Sequence, residues 1–560
     1  MKKKSLLLLL AFAVVMFCVG GIFGTLFLKD KKGDDKTTTA PAQKAEQHAI
    51  LSDDIALYFD LGQLVEKSAI NSTMTDANRA LVASMIAPEN AEYVQSILEN
   101  LDNTGINTNK PIYGYANITS VVDEEFGVTL VAQVKDADMI DRFIDFVSEN
   151  TGEEIAVVRE GDMRTIDLDE AIVGYNSDRF IIVTGECDDY NTLLNEAFER
   201  PIANLSAYAK YDIAFSMQIM SLVDATRTQL QMSVNEYVDE LEMCEDEWEV
   251  EWIEESLASA EEQLKAISEI ENVLSQDANA ILGLAFEDGR VLFEACVNGV
   301  SDEFSINRKV NNNYLDYVDR DAMAFVNIGV DGKKISELLS KYLPENMAET
   351  LDMDRNEYNV YSEILFDAIK SINGDVAIAL NDISVSRYGS VEGVEALVSI
   401  DVADNYIFSN ISQFGAGMLN KVNDNLYSIS FYGFNINIGQ GNDTLYATVN
   451  MKYEEREEPA SDARWAKDIK NSYGYILIDF DSIVANNYVY TACRRAMDMN
   501  SSDFDNFAQS LSHVYFSATS PYSVEFVIAF DDKNTNALEN IVKQMSAIAM
   551  GEMTREMMEY

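Results

Sequence analysis

The chain has 560 residues, 47% of them apolar and 10% aromatic, more than one hydrophobic core usually supports, so roughly two to four packed domains are expected. Its 95 Asp and Glu against 41 Lys and Arg leave a formal net charge of -54, a field that repels phosphate backbones and anionic headgroups and excludes nucleic acid as a partner. Only two histidines occur, His48 and His513, so histidine metal sites and Ser/His/Asp triads have almost no raw material.

Lys2, Lys3 and Lys4 precede an uncharged run from Ser5 to Leu28. As a helix that run rises about 36 Å, enough to cross a bilayer, and the basic residues before it favour a cytoplasmic N-terminus with the remainder outside. Cys18 raises the alternative of a lipoprotein, but Phe17 stands where that processing needs a small residue. Cleavage after Gly21 is a further alternative, opposed by the apolar run continuing through Ile22, Phe23, Leu26, Phe27 and Leu28. Residues 1–28 therefore read as a membrane anchor or signal segment, and 29–50, polar and broken by Pro41, as a flexible tether.

From residue 51 an opening recurs in which a short apolar strand runs into an amphipathic helix: "ALYFDLGQLVEKS" from 56, "AFSMQIMSLV" from 214, "AFVNIGVDGKKISELL" from 324 and "YILIDFDSIV" from 475. Each opening leads through helix-like sequence to two strand-like runs and, in three of the four copies, on into another helix. Two runs joined at Asp288-Gly289 carry the hairpin signal. Meanders are added at "MRTIDLDEAIVGYNSDRFIIVTGE" from 163 and "LYSISFYGFNINIGQGNDTLYATVN" from 426. Matching segments stay near 261 to 267 residues apart, which predicts a duplicated half with Asp60 set against Asn327 and Gln218 against Asp479. The expected fold is α+β: duplicated β-α-β-β-α units with antiparallel sheets and added β-meanders, after an N-terminal transmembrane helix. The expected units are 51–203 with a meander, 204–310 with a long acidic helical insertion, 311–456 repeating the first, and 457–560 repeating the second.

The stretches "ALYFDLGQLVEKSAI", "ILENLDNTGINTNKPIYGYA" from 97 to 116, with Gly105-Ile106 and Lys110-Pro111-Ile112-Tyr113, and "LIDFDSIVANN" resemble a family of uncharacterised exported envelope proteins. That family, many of whose members are lipoproteins, comes from bacteria of the Bacteroides lineage and is classed as a domain of unknown function. The resemblance spans most of the chain past residue 50 and implies an extracytoplasmic location. It implies no activity, and the residue before Cys18 departs from the usual lipid anchor.

Motifs that carry chemistry are few. "GVDGKKIS" at 329 to 336 is too short for a phosphate loop, since two residues separate its glycines and Lys334 follows Lys333 where a magnesium-binding hydroxyl is needed. Asp352, Asp354, Asn356 and Glu363 fall at positions 1, 3, 5 and 12 of a calcium loop, but Glu357 takes the place of its turn glycine, which favours an acidic helix start. Cys187, Cys244, Cys296 and Cys493 form no CxxC pair, so their spacing specifies no disulfide framework. The insertion Thr226 to Gln276 has an apolar stripe at Leu230, Val234, Val238, Leu241, Trp248 and Trp252, and between Glu236 and Glu255 it contains no Lys or Arg. Trp248, Trp252, Glu245, Asp246 and Glu249 are the candidates for docking a partner.

The sequence thus reads as an envelope protein anchored by its N-terminal helix, a structural or protein-interaction module for an unidentified envelope partner, needing no cofactor and not an enzyme. The alternatives are a carboxylate-dependent hydrolase of glycan or peptide and a calcium-tuned binding protein. Intact mass of the native protein is expected to include residues 1–28 with Cys18 unacylated; a mass beginning at an acylated Cys18 would overturn the anchor.

Overall fold

The computed structural model describes residues 54–546 except 117–125, 153, 169, 187–188, 245–246, 302–306, 343–354, 386–390, 415–417, 432, 497–504 and 506–507. Among these residues no helix is long and apolar enough to cross a membrane, and the run from Ser5 to Leu28 lies outside them. The described residues form two compact units: those from 54 to 301 joined by those from Asn534 onward, and those from 307 to 533. Both combine helices with antiparallel strands in the expected α+β class.

The first unit is built on β1 (Ile55–Phe59), β2 (Ile112–Ala116), β3 (Phe126–Gln133), β4 (Val158–Glu160), β5 (Met163–Leu168), β6 (Ala171–Tyr175), β7 (Arg179–Glu186), β8 (Ile213–Gln218), β9 (Leu274–Glu287) and β10 (Arg290–Val300). They pair antiparallel throughout, in the spatial order β4-β5-β6-β7-β3-β2-β1-β8-β9-β10. Since β1 pairs with both β2 and β8, segments 51–203 and 204–310 share one sheet. Strand β1 alternates, with Ala56 and Tyr58 buried and Leu57 exposed, because side chains along a strand point to opposite faces. The buried face receives the helices. Leu194 and Ala197 of helix Tyr190–Glu199 join a core with Ala56, Tyr113, Ile181 and Val183, while Ile140 and Ile144 of helix Ala137–Thr151 pack on Ile166, Val173 and Tyr175.

Two carboxylates fix this unit. Asp212, fully buried just before β8, accepts from Lys67 Nζ at 2.6 and 2.7 Å and from the Phe286 amide at 2.7 Å. Its own amide donates to the Leu284 carbonyl, and its carbonyl accepts from the Asp60 amide. One residue thereby ties β1, β9 and the first helix, Leu61–Ser68, to β8. Asp102, also buried, accepts from the Thr108 amide and hydroxyl at 2.9 and 2.6 Å and from Lys135 Nζ at 2.6 Å. Burial works to raise its pKa, but the bonds from Lys135 and Thr108 prevail and hold it below the usual carboxylate range. This turn is the "LDNTGINTNKP" stretch. Its Gly105 has φ +94, and a Cβ there would strike the Asp136 carbonyl, so the motif serves the fold.

The second unit holds β11 (Ala324–Asp331), β12 (Ile372–Val385), β13 (Val391–Val402), β14 (Asn420–Asn423), β15 (Leu426–Phe431), β16 (Phe434–Gln440), β17 (Thr444–Val449), β18 (Gly474–Asp479), β19 (Leu511–Ser520) and β20 (Ser523–Phe530). Their order is β14-β15-β16-β17-β13-β12-β11-β18-β19-β20, position for position that of the first unit. When Gln218 is matched to Asp479, the registers carry Phe215 to Ile476, Leu57 to Val326 and Leu282 to Phe516. They carry Asp60 to Gly329, which corrects the expected match to Asn327. Asn327 lies in mid-strand, buried, and donates to Asp375 Oδ2 at 2.9 Å. The sequence match paired one polar residue with another, whereas β11 runs on to Asp331 before its helix begins.

Fully buried Trp465 packs on Phe325 with ring centroids 4.5 Å apart and donates from Nε1 to Asp479 Oδ2 at 3.0 Å. The described residues from Asn534 belong to the first unit, where Asn536 Nδ2 donates to the Phe286 carbonyl at 2.9 Å.

Lys67→Met strands the buried Asp212 carboxylate without a counterion and is expected to cost about 3 kcal/mol of first-unit stability. Urea unfolding followed in that unit checks it, and a loss below about 1 kcal/mol would show that Asp212 does not need the ammonium.

Candidate functional site

Between β8 and β9 the chain makes an antiparallel helical hairpin, Ile219–Met243 and Glu247–Glu271, each arm about 37 Å long. The matching interval of the second unit, between β18 and β19, is shorter, and its described residues form the short helices Phe480–Ala485 and Asn487–Ala496 with further helical positions at Asp505 and 508–510. The first arm buries Met220 and Ala225 near its base and no described side chain beyond them. Among the described side chains of the second arm the buried ones are Ile253, Ala260 and Ile267, spaced by seven, which is the seam of two packed helices.

The two tryptophans are outside this seam. Trp248 is 70% exposed and Trp252 55% exposed, although sequence periodicity places both on the apolar stripe. Tyr237 of the first arm meets the Trp252 ring edge-on, at 6.4 Å and 89°, an arrangement that holds the indole in place. Val238 and Met243 are exposed at the same end. Glu236, Asp239, Glu240 and Glu242 on the first arm, with Glu251, Glu254 and Glu255 on the second, are all exposed, and none forms an ion pair among the described residues. Glu249 lies on the second arm, while Glu245 and Asp246 fall outside the described residues. A groove between the arms, about 340 Å³, is lined by Leu230, Tyr237, Trp252 and Ser256.

The other candidates are scattered or committed to the fold. Asn356 and Glu363 both lie on helix Arg355–Ser371, with Glu363 exposed, and Asp352 and Asp354 fall outside the described residues. A seven-residue helical step from Asn356 to Glu363 separates them by about 10 Å along the axis, too far to converge on one cation. In "GVDGKKIS", Asp331 accepts from the Lys334 amide at 3.2 Å as the start of helix Gly332–Tyr342. His513 does meet a serine and a carboxylate: Nδ1 lies 2.8 Å from Ser512 Oγ, and Nε2 lies 3.3 Å from Asp468 Oδ2. Ser512 and His513 are both buried, so no substrate reaches that hydroxyl. Cys244, Cys296 and Cys493 form no disulfide.

A polar pocket of about 350 Å³ in the second unit is lined by Asp319, Asp321, Glu458, Arg464, Asp479 and Asp481. Burial, with Asp531 and Asp479 nearby, raises the Asp481 pKa against the pull of Arg464. Three of its carboxylates are already tied: Asp479 accepts from Trp465 and the Asp481 amide, Asp319 from Asn381 at 2.6 Å, and Asp481 pairs with Arg464. No signal in the sequence singled out this cluster, because its members come from four separate segments.

The packing divides the second arm into side chains that hold the hairpin and side chains that do not. Ile253→Ala is expected to cost about 3 kcal/mol, and Trp248→Ala less than about 0.5 kcal/mol. Denaturant midpoints distinguish them, and a Trp248 loss as large as that of Ile253 would place the indole in the seam.

No curated protein matches the chain significantly. Among solved structures, crystal form IV of TP0453 is 10% identical, covering 44% of this chain and 76% of that one with a TM-score of 0.22. Crystal form III of TP0453 is 11% identical, covering 73% and 93% with a TM-score of 0.17, and neither likeness carries an argument. The family model of a domain of unknown function, DUF4836, matches residues 50–538, and the chain belongs to that family.

Proposed function

We propose that the chain is an extracytoplasmic interaction module of the bacterial envelope, in a bacterium of the Bacteroides lineage, held to the membrane by its N-terminal helix. Its scaffold is a duplicated α+β half, a reading supported by the common strand order of the two units. The observation that carries the functional reading is the pair of exposed tryptophans on a hairpin that the second unit lacks at that length. Exposed aromatics on a surface element are the residues that dominate interface energetics. The anchor is supported by the lysines before the uncharged run from Ser5 to Leu28 and by the polar tether after it.

A carboxylate hydrolase is the second reading, favoured by the raised pKa of Asp481 in its pocket. The committed partners of Asp479 and Asp319 count against it, since a general acid and base need carboxyls able to reach substrate.

Protease added to spheroplasts is expected to digest the chain past residue 50 while leaving the anchor with the membrane. Recovery of the intact chain from the cytosol would overturn the location, and envelope glycan or peptide turnover lost specifically in Asp481→Asn would favour the hydrolase.

A further inference from the structure

We infer that the surface formed by Val238, Met243, Trp248 and Trp252 on the two arms of the helical hairpin is a docking surface for an arginine- or lysine-rich segment of a partner protein, whose cations sit on the Trp248 and Trp252 indoles. The inference rests on the reading of the chain as an interaction module and names the chemistry of the partner.

The buried seam of the hairpin is made by Ile253, Ala260 and Ile267, and both indoles stay more than half exposed, Trp252 meeting Tyr237 of the first arm edge-on. Trp248 and Trp252 are four residues apart and so share one helix face. Tyr237 braces Trp252 from one edge, so that indole is pre-oriented before any partner arrives. An indole face attracts a cation through its quadrupole, and guanidinium stacks on it best.

The surrounding charge selects the same partner. Seven exposed carboxylates flank the two indoles on both arms without an ion pair among the described residues, and no Lys or Arg lies between Glu236 and Glu255 to compensate them. Such a field draws in a basic segment and repels anionic lipid. A bare metal ion is a poor match, since the described residues contain no cluster of acidic or sulfur ligands that could hold one. The exposed Val238 and Met243 side chains offer apolar surface to the methylene stems that arginine and lysine carry.

The chain supplies its own probe. Of its three tryptophans Trp465 is fully buried, so changes in emission on titration report Trp248 and Trp252. Full-length protein in detergent is titrated with a synthetic peptide of alternating arginine and leucine, free of aromatic residues. A saturable emission change is expected, weakened about tenfold or more by raising salt to roughly 0.5 M and by the triple variant Glu251→Gln/Glu254→Gln/Glu255→Gln. Calorimetry on Trp248→Ala/Trp252→Ala, with an unchanged thermal midpoint, is expected to show the peptide affinity lost.

The inference is overturned if a glutamine-for-arginine peptide moves the emission equally, if salt and the triple variant leave affinity unchanged, or if anionic vesicles shift the tryptophans in place of the peptide. Cross-linking in native membranes separates the two readings. The same neighbour captured by wild type and by the double tryptophan variant removes the hairpin from docking but keeps the interaction module; reproducible capture of no neighbour by wild type removes both.

Discussion

The junction of β1, β8 and β9 in the first unit depends on one desolvated charge. Asp212 sits where β8 begins, and a carboxylate there is tolerable only because Lys67 reaches it from the helix after β1 and the Phe286 amide reaches it from β9. An ion pair of this kind contributes little net stability compared with an apolar pair of the same volume, yet breaking it leaves a charge with no solvent to take it up. Its effect is therefore on specificity. A chain that paired β1 or β9 out of register would separate the ammonium from the carboxylate, and that penalty falls on every misregistered state.

The second unit has the same backbone arrangement without that chemistry. The amides of Asp60 and Asp212 donate to the Asp212 and Leu284 carbonyls; at the matching places Gly329 donates to Tyr473 and Tyr473 to Ala518. Tyr473 takes the position of Asp212, so no ion pair forms there, and Asp375 instead secures its unit by accepting from the Asn311 and Asn312 amides and from Asn327. Ladder geometry common to both units marks the scaffold, and features confined to one unit mark where specialisation has room. Among the described residues the hairpin is one such feature. The sheets also share an exposed apolar row, Leu57 and Leu282 in one, Val326, Ile476 and Phe516 in the other, on the face away from the helices.

Much of this was legible in the sequence because it is periodic. Strand alternation and helical periodicity pointed to an α+β chain with antiparallel strands and meanders, since both depend on local spacing. Strand order was not legible, because pairing of β1 with β8 spans more than a hundred residues and leaves no local mark. Nor was the role of Asp212: one acidic residue before a strand looks the same whether solvated or buried against Lys67. The apolar stripe on the acidic insertion was read correctly as helical, but periodicity alone could not tell which turns face the partner arm. Ile253, Ala260 and Ile267 take that place, and the two indoles are left more than half exposed.

The carboxylates fall into two populations with different physics. Asp102, Asp212, Asp375 and Asp479 are buried and each accepts hydrogen bonds from amides, an indole or an ammonium, so their contribution is short-ranged and little affected by salt. For Asp102 the sign is definite. Its folded pKa lies below the unfolded value, so the stability it adds is present above the unfolded pKa and lost as pH falls through the folded one. The hairpin carboxylates are exposed and lack counterions among the described residues, so their field reaches outward and is attenuated within about 10 Å at ordinary ionic strength. Salt therefore acts on the hairpin surface and leaves the buried scaffold carboxylates largely untouched. That separation lets a net charge of -54 coexist with a well-ordered core: the charges that determine the fold are held inside by their donors, and the remainder stay available to a cationic partner.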